Sequence, residues 1–128
     1  MLASSVFFFA GTTSQELGKS IAGLAHKPLG KWLLQQFSDG ELRPLIQENV
    51  RGAMVVLIQA TYPPAENFME LLLMIDAVKN AGAQKVVVVV LYLGYMRQDK
   101  IHQAGESYGA ALIAKLLSTA GADQLIVC

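Results

Sequence analysis

Five valines stand in a row from Val86 to Val90, and this run constrains the fold more than any other feature of the chain. β-Branched side chains are stiff at χ1 and favour extended backbone. Successive side chains of a strand point to opposite faces. A strand made only of valines therefore needs cover on both faces, the condition met inside a parallel sheet. Lys85–Leu91 is accordingly expected to be a central strand.

Parallel neighbours require crossover connections, usually helices, and the remaining sequence supplies them. Val6–Ala10 is a short apolar run ending at Gly11 and predicts a buried strand. Thr13-Ser-Gln-Glu16 has capping-box spacing and predicts a helix to about Leu24. Trp32–Phe37 reads as a second, more polar strand, Ser38-Asp39-Gly40 as a turn, and Glu41–Glu48 as a third extended segment. Met54–Gln59 is another buried strand after the break at Arg51-Gly52. Pro63-Pro64 interrupts the chain, Asn67 is placed to cap a helix to about Ala81, and Gly82 is placed to end it. A loop from Tyr92 to about Gly105 leads to a helix over Ser107–Ala120, and Gln124–Val127 is a last strand. Strands alternating with helices of about a dozen residues predict an α/β domain: a parallel sheet with helices on both faces.

The 128 residues suit one domain, able to bury roughly two-thirds of its unfolded surface. Hydrophobic residues make up 53% and charged residues 16%, against about 25% charged in typical domains. No apolar stretch approaches the ~18–20 residues that span a bilayer. Met1–Ala10 lacks a basic leader region, so no signal peptide is expected and a cytoplasmic protein is. Ten basic residues balance ten acidic ones, which argues against a nucleic-acid partner. The single Cys128 excludes an internal disulfide and suits a reducing compartment. Two histidines and one cysteine cannot assemble a nitrogen–sulfur metal site. The two later helices are unusually apolar. Asn67–Ala81 is expected to expose little beyond Glu70, Asp76, Lys79 and Asn80, and Ser107–Ala120 carries Lys115 as its only charge. Such helices are covered either by their own domain or by a second domain or subunit.

Five segments carry a resemblance to a known family. They are Phe37-Ser-Asp-Gly-Glu41, Glu48-Asn-Val-Arg-Gly52, Met69-Glu-Leu-Leu-Leu-Met-Ile-Asp76, Gly94-Tyr-Met-Arg-Gln-Asp99 and Ser118-Thr-Ala-Gly-Ala-Asp123. In order and spacing they resemble the N-terminal domain of the ribose-phosphate pyrophosphokinases, from Val6 onward. The resemblance implies a phosphoribosyltransferase-like (type I) fold spanning residues 1–128, with the C-terminal domain absent from this chain. The implied activity is ribose-phosphate diphosphokinase: pyrophosphate passes from ATP to ribose 5-phosphate, with Mg2+ whose ligands lie mostly beyond Cys128. It also implies a homo-oligomer, a dimer or hexamer.

The resemblance assigns ATP binding to two segments. Phe37, Asp39 and Glu41 would reach across a dimer to the adenine. In an extended segment these alternate residues share a face, and an aromatic ring beside acceptors suits an adenine. The competing reading is a polar hairpin with a core phenylalanine. Arg97, Gln98 and Asp99 follow the valine strand, at the sheet edge where open α/β sheets bind ligands. There an Arg offers a donor fork for phosphate, and a Gln can donate to and accept from a base edge. Asn49 and Arg51 match a regulatory anion site, or form an ordinary exposed turn. Thr12 and Thr13 either cap a helix or offer N–H groups to an anion. His26 is expected past a helix end without a role, and His102 is left unassigned.

Residues 100–111 depart from the family, whose run here is basic. Ile101, Gln103, Gly105 and Ala111 stand at positions that commonly carry Lys or Arg, and Lys100 alone remains basic. The family also continues past the position of Cys128 with an Asp-Leu-His segment supplying a magnesium ligand. Catalytic residues are therefore expected outside this span, and the 128 residues alone are expected to be inactive. Two alternatives stand beside the transferase domain: a non-catalytic regulatory homologue that binds active pyrophosphokinase subunits, and a generic flavodoxin-like binding module.

Overall fold

The computed structural model describes residues 5–128. The part of the leader reading that falls on residues 1–4 lies outside the described residues. Four parallel strands form the sheet in the order β1-β4-β5-β6: β1 (Val6–Ala10), β4 (Met54–Ile58), β5 (Lys85–Val90) and β6 (Gln124–Val127). Three helices complete the layers: α1 (Gln15–Leu24), α2 (Glu66–Asn80) and α3 (Gly109–Ala120).

Side-chain alternation sorts the strands between two cores. Phe9, Val55, Leu57, Val86, Val88 and Val90 face the larger core, where Leu71, Met74 and Ile75 of α2 and Ile113 and Leu117 of α3 meet them. Val56, Ile58 and Val87 face the other way, against Leu17 and Ile21 of α1. The valine run thus has helices on both faces, as the sequence predicts. Val89 alone among the five is only half-buried, because a single helix covers that side.

β2 (Trp32–Gln36) and β3 (Leu42–Ile46) do not enter the parallel sheet. They form a separate antiparallel hairpin. Between α1 and this hairpin the chain runs along the outer edge of β1, where Leu29 bridges Phe8 and the Gly30 N–H donates to Phe8 O at 2.7 Å. The chain therefore leaves β1 toward one side and leaves β4 toward the other. Winding reverses between β1 and β4, which is why α1 lies on one face and α2 and α3 on the other.

All three predicted helix starts differ. Ser14, not Thr13, is the N-cap of α1, with no side-chain cap bond. The Thr13 hydroxyl is turned to β4 instead, within hydrogen-bond reach of two acceptors for its one proton, Gln59 Oε1 at 2.7 Å and Ala60 O at 2.9 Å. A tertiary partner has displaced the local capping box. Asn67 lies inside α2 rather than capping it; Ala65 is the N-cap, and Asn67 Nδ2 donates to Tyr62 O at 2.8 Å. α3 begins at Gly109, two residues later than predicted, because residues 107 and 108 belong to the loop before it. The expected ends of α2 and α3 hold, with Gly82 and Gly121 at φ 96° and 127°.

Candidate functional site

The reversal of winding creates a crevice at the carboxyl ends of β1 and β4, the position where open α/β folds bind ligands. Here the chain fills it with its own side chains. Gln59, at the end of β4, and Glu70, on the inner side of α2, are 1% and 3% exposed. Glu70 accepts from Thr12 N–H at 2.8 Å, Thr12 Oγ1 at 2.6 Å and Gln59 Nε2 at 3.0 Å. Gln59 Oε1 accepts from the Thr13 N–H at 3.2 Å, and Ala60 N–H donates to Ser14 Oγ at 2.9 Å. Two expectations are corrected here. Glu70 is buried, not exposed. The Thr12 and Thr13 amides, read as caps or as anion donors, are taken by a carboxyl and an amide from the same chain. Hydropathy alone could not find this network, since a carboxyl within an apolar helix reads as its wet side.

The next opening along the sheet edge lies beyond β5. Thr61 holds its entry: Thr61 N–H and Oγ1 donate to Tyr92 O at 2.8 and 3.2 Å, and Gly94 N–H donates back to Thr61 Oγ1 at 3.0 Å. A side chain at Gly94 would meet Thr61 O at 2.5 Å, so the two strand ends approach as closely as glycine permits. Tyr95 then turns left-handed at φ 70°, and a single 3₁₀ turn follows over Met96–Gln98. This delivers Arg97, Gln98 and Asp99 to the carboxyl edge, as the sequence predicts. Arg97, Gln98, Lys100, His102, Glu106 and Ser107 line a cleft of about 310 Å³. Gln98 Oε1 accepts from Ser107 Oγ at 2.9 Å, so its amide NH2 is the part left for a ligand. The ion pairs of the described residues are Lys19–Glu16 and Lys79–Asp123, so neither Arg97 nor Lys100 is matched by a carboxylate.

Phe37, Asp39 and Glu41 occupy the hairpin tip. The turn expected over residues 38–40 is present, with Gly40 at φ 97°, so the three residues do not share the face of one extended segment. Asp39 Oδ1 accepts the Glu41 N–H at 3.0 Å and so holds the turn rather than pointing alongside its neighbours. Phe37 and Glu41 still share a side, because Phe37 N–H donates to Glu41 O at 2.8 Å and continues the register in which Gln36 faces Leu42. The Phe37 ring is 51% exposed, so it is not the core residue of the competing reading.

Asn49 and Arg51 lie before β4, at the opposite edge of the sheet from Arg97. Asn49 Oδ1 accepts the Arg51 N–H at 3.3 Å, and the Arg51 side chain lies over Gly82 at the end of α2. The same edge holds Asp123, whose Oδ2 accepts from Lys79 Nζ and from Val86 N–H, both at 2.8 Å. The Lys79 bond, then the Val86 bond, holds the Asp123 carboxyl below its usual range. His26 follows the end of α1 at φ 57° with no functional neighbour that the structure defines. No helix of the described residues is long and apolar enough to cross a membrane.

Known proteins share this fold. Residues 6–121 match the family model of the N-terminal domain of ribose phosphate pyrophosphokinase. The chain is 45% identical over 121 residues to ribose-phosphate pyrophosphokinase 1, chloroplastic, of Oryza sativa subsp. japonica, covering 94% of this chain and 31% of that protein. It is 45% identical over 118 residues to the ribose-phosphate pyrophosphokinase of Porphyromonas gingivalis, covering 92% of this chain and 38% of that one. The chain thus spans about a third of the length of such relatives. The crystal structure of phosphoribosylpyrophosphate synthetase from Mycobacterium smegmatis superposes with a TM-score of 0.91 at 33% identity, over 97% of this chain and 42% of that one.

Proposed function

This chain belongs to the ribose-phosphate pyrophosphokinase family, as its N-terminal domain, and from that premise we propose that it contributes two parts of an ATP site shared between subunits. Arg97 of one subunit receives the phosphates and Gln98 one base edge, with Asp99 beside them in the ATP-binding triplet. Phe37 and Glu41 at the hairpin tip of another close over the adenine, with Asp39 holding the tip in shape. In the whole protein the reaction is the transfer of pyrophosphate from ATP to ribose 5-phosphate, giving phosphoribosyl pyrophosphate and AMP. The catalytic groups lie outside this span. Asn49 and Arg51 retain a regulatory-anion role in this proposal, at the other edge of the sheet.

The observation that carries the proposal is the half-exposed Phe37 ring. A large apolar side chain exposed at the tip of a hairpin, whose hydrogen bonds are local to that hairpin, is free to take cover outside its own domain. An adenine face is suitable cover, since base stacking on an aromatic ring is worth about 1–3 kcal/mol. The family's magnesium stays outside this proposal. Among the described residues no group of three or more His, Cys, Asp or Glu side chains could hold a metal ion, and no step is routed through one. We place the protein in the cytoplasm as part of the same proposal, although the rice relative is named chloroplastic.

Titration with a non-hydrolysable ATP analogue over a range of chain concentrations tests the shared site. Affinity should rise with self-association, and Phe37→Ala should weaken binding by about 1–3 kcal/mol. Tight binding that ignores chain concentration contradicts it. The regulatory alternative is favoured by one observation. Ile101, 60% exposed, and Glu106 stand in the cleft loop where the family's run is basic. Co-purification with a full-length pyrophosphokinase supports that alternative, and a strictly self-contained oligomer removes it.

A further inference from the structure

The cleft beyond β5 is lined by an imidazole to which neither the resemblance nor the proposed nucleotide site gives a role. His102 stands in it with Arg97, Gln98, Lys100, Glu106 and Ser107. Glu106, the acidic member, is committed to the backbone: its Oε2 accepts from the His102 N–H at 2.8 Å and the Gln103 N–H at 3.3 Å. Those bonds close the loop on itself and carry His102 back to the cleft wall. Gln98 and Ser107 are committed to each other at 2.9 Å. Besides the Gln98 amide NH2, the side chains left to meet a ligand are Arg97, Lys100 and the His102 imidazole. Two fixed cations beside an imidazole make a place for an anion, and a bound anion favours the charged form of the ring.

We propose that His102 is a third phosphate-contacting residue beside Arg97 and Lys100, so that the cleft grips a polyphosphate tail more tightly when the imidazole is protonated. The proposal rests on the nucleotide reading above, and it names what replaces part of the basic run that this chain lacks. Charged groups around the ring are Arg97 on the 3₁₀ turn, Lys100 in the loop, and Glu106 before α3. Histidine changes charge between about pH 5 and 8. Affinity is therefore highest on the acid side of that window and falls as pH rises through it.

The test compares the chain with its His102→Gln and His102→Arg variants at about pH 6 and about pH 8. Inorganic tripolyphosphate, a non-hydrolysable ATP analogue and adenosine are titrated by calorimetry. The ligand's own titration is common to all three proteins, so affinity ratios between them isolate the ring. Tripolyphosphate and the analogue should bind His102→Gln about three- to fivefold more weakly than the parent at the lower pH, with a ratio near one at the higher. His102→Arg should bind tightly at both. A ratio of one at both pH values overturns the proposal, as does an equal loss for adenosine, which has no phosphate. If tripolyphosphate shows the ratio and the analogue binds no better than tripolyphosphate, His102 stands and the adenine half of the proposed function fails. If the analogue binds well with a ratio of one, the nucleotide site stands and the role of His102 fails. Binding of none of the three overturns both.

Discussion

Glu70 is the residue at which local sequence and tertiary structure disagree most. On a helix of apolar neighbours it reads as the exposed side, yet it is buried against Thr12 and Gln59. A buried polar group is tolerated only when its hydrogen bonds are made, and here the β1–α1 loop makes them. Truncation would strand the Thr12 amide and the Gln59 NH2 together. Glu70→Ala is expected to lower unfolding free energy by about 2–3 kcal/mol in denaturant titration, and Glu70→Gln by less. An unchanged midpoint for Glu70→Ala would show that water replaces the carboxyl without loss. Gly94 is the corresponding point of the second opening. An alanine methyl there would sit 2.5 Å from Thr61 O, a backbone atom that cannot swing away. Gly94→Ala should cost about 1–3 kcal/mol of stability and displace Arg97. Loss of nucleotide affinity beyond the loss in Thr61→Ser, which keeps the hydroxyl, is the measurement that separates displacement from general softening.

The elements show how much of the fold is legible in one sequence. β1, β5 and β6 stand within a residue of expectation because short apolar runs bounded by turn residues favour strands, even in β6, which lies largely exposed at the sheet edge. The hairpin is different. β2 and β3 have the residues of a polar, half-buried pair, but nothing in their pattern says they pair with each other outside the sheet. That choice is made by Trp32 and Ile46, which pack on the main core, and by Trp32 Nε1, which donates to Ala10 O at 2.8 Å. The Phe37 and Arg97 segments were legible as candidates through their order and spacing. The Asp39 turn and the Ser107 bond to Gln98 were not, since both are local geometry that residue types leave open. At the lower edge, Asp123 links α2 to β5 and explains why the segment ending in Ala122-Asp123 keeps its shape. Its carboxyl is held low by Lys79 and then Val86, so its contribution is complete above the unfolded carboxylate range and is lost as pH falls through the lower folded value. Stability measured against pH should fall on the acid side, and Asp123→Asn should flatten that limb. A parallel fall in both proteins would remove Asp123 as its source.

At the scale of the whole molecule, the apolar excess has two destinations. α2 is largely covered by the sheet, β3 and α3, so its greasiness is explained within the domain. α3 is not, and leaves Leu112 51% and Leu116 38% exposed. Leu112→Glu is expected to weaken self-association in analytical ultracentrifugation while leaving the thermal transition of the monomer within a few degrees. Unchanged association would exclude that face from the interface. The two segments that the proposal assigns to ATP stand on separate elements, and the hairpin tip makes its hydrogen bonds to itself. In the proposed site, different copies supply them to one purine.

Mixing Phe37→Ala chains with Arg97→Ala chains tests that arrangement most directly. Each variant alone should bind the ATP analogue weakly, and the mixture should recover a fraction of tight sites, those pairing an intact tip with an intact arginine loop. A mixture no better than its two components would show that no purine site is built between subunits.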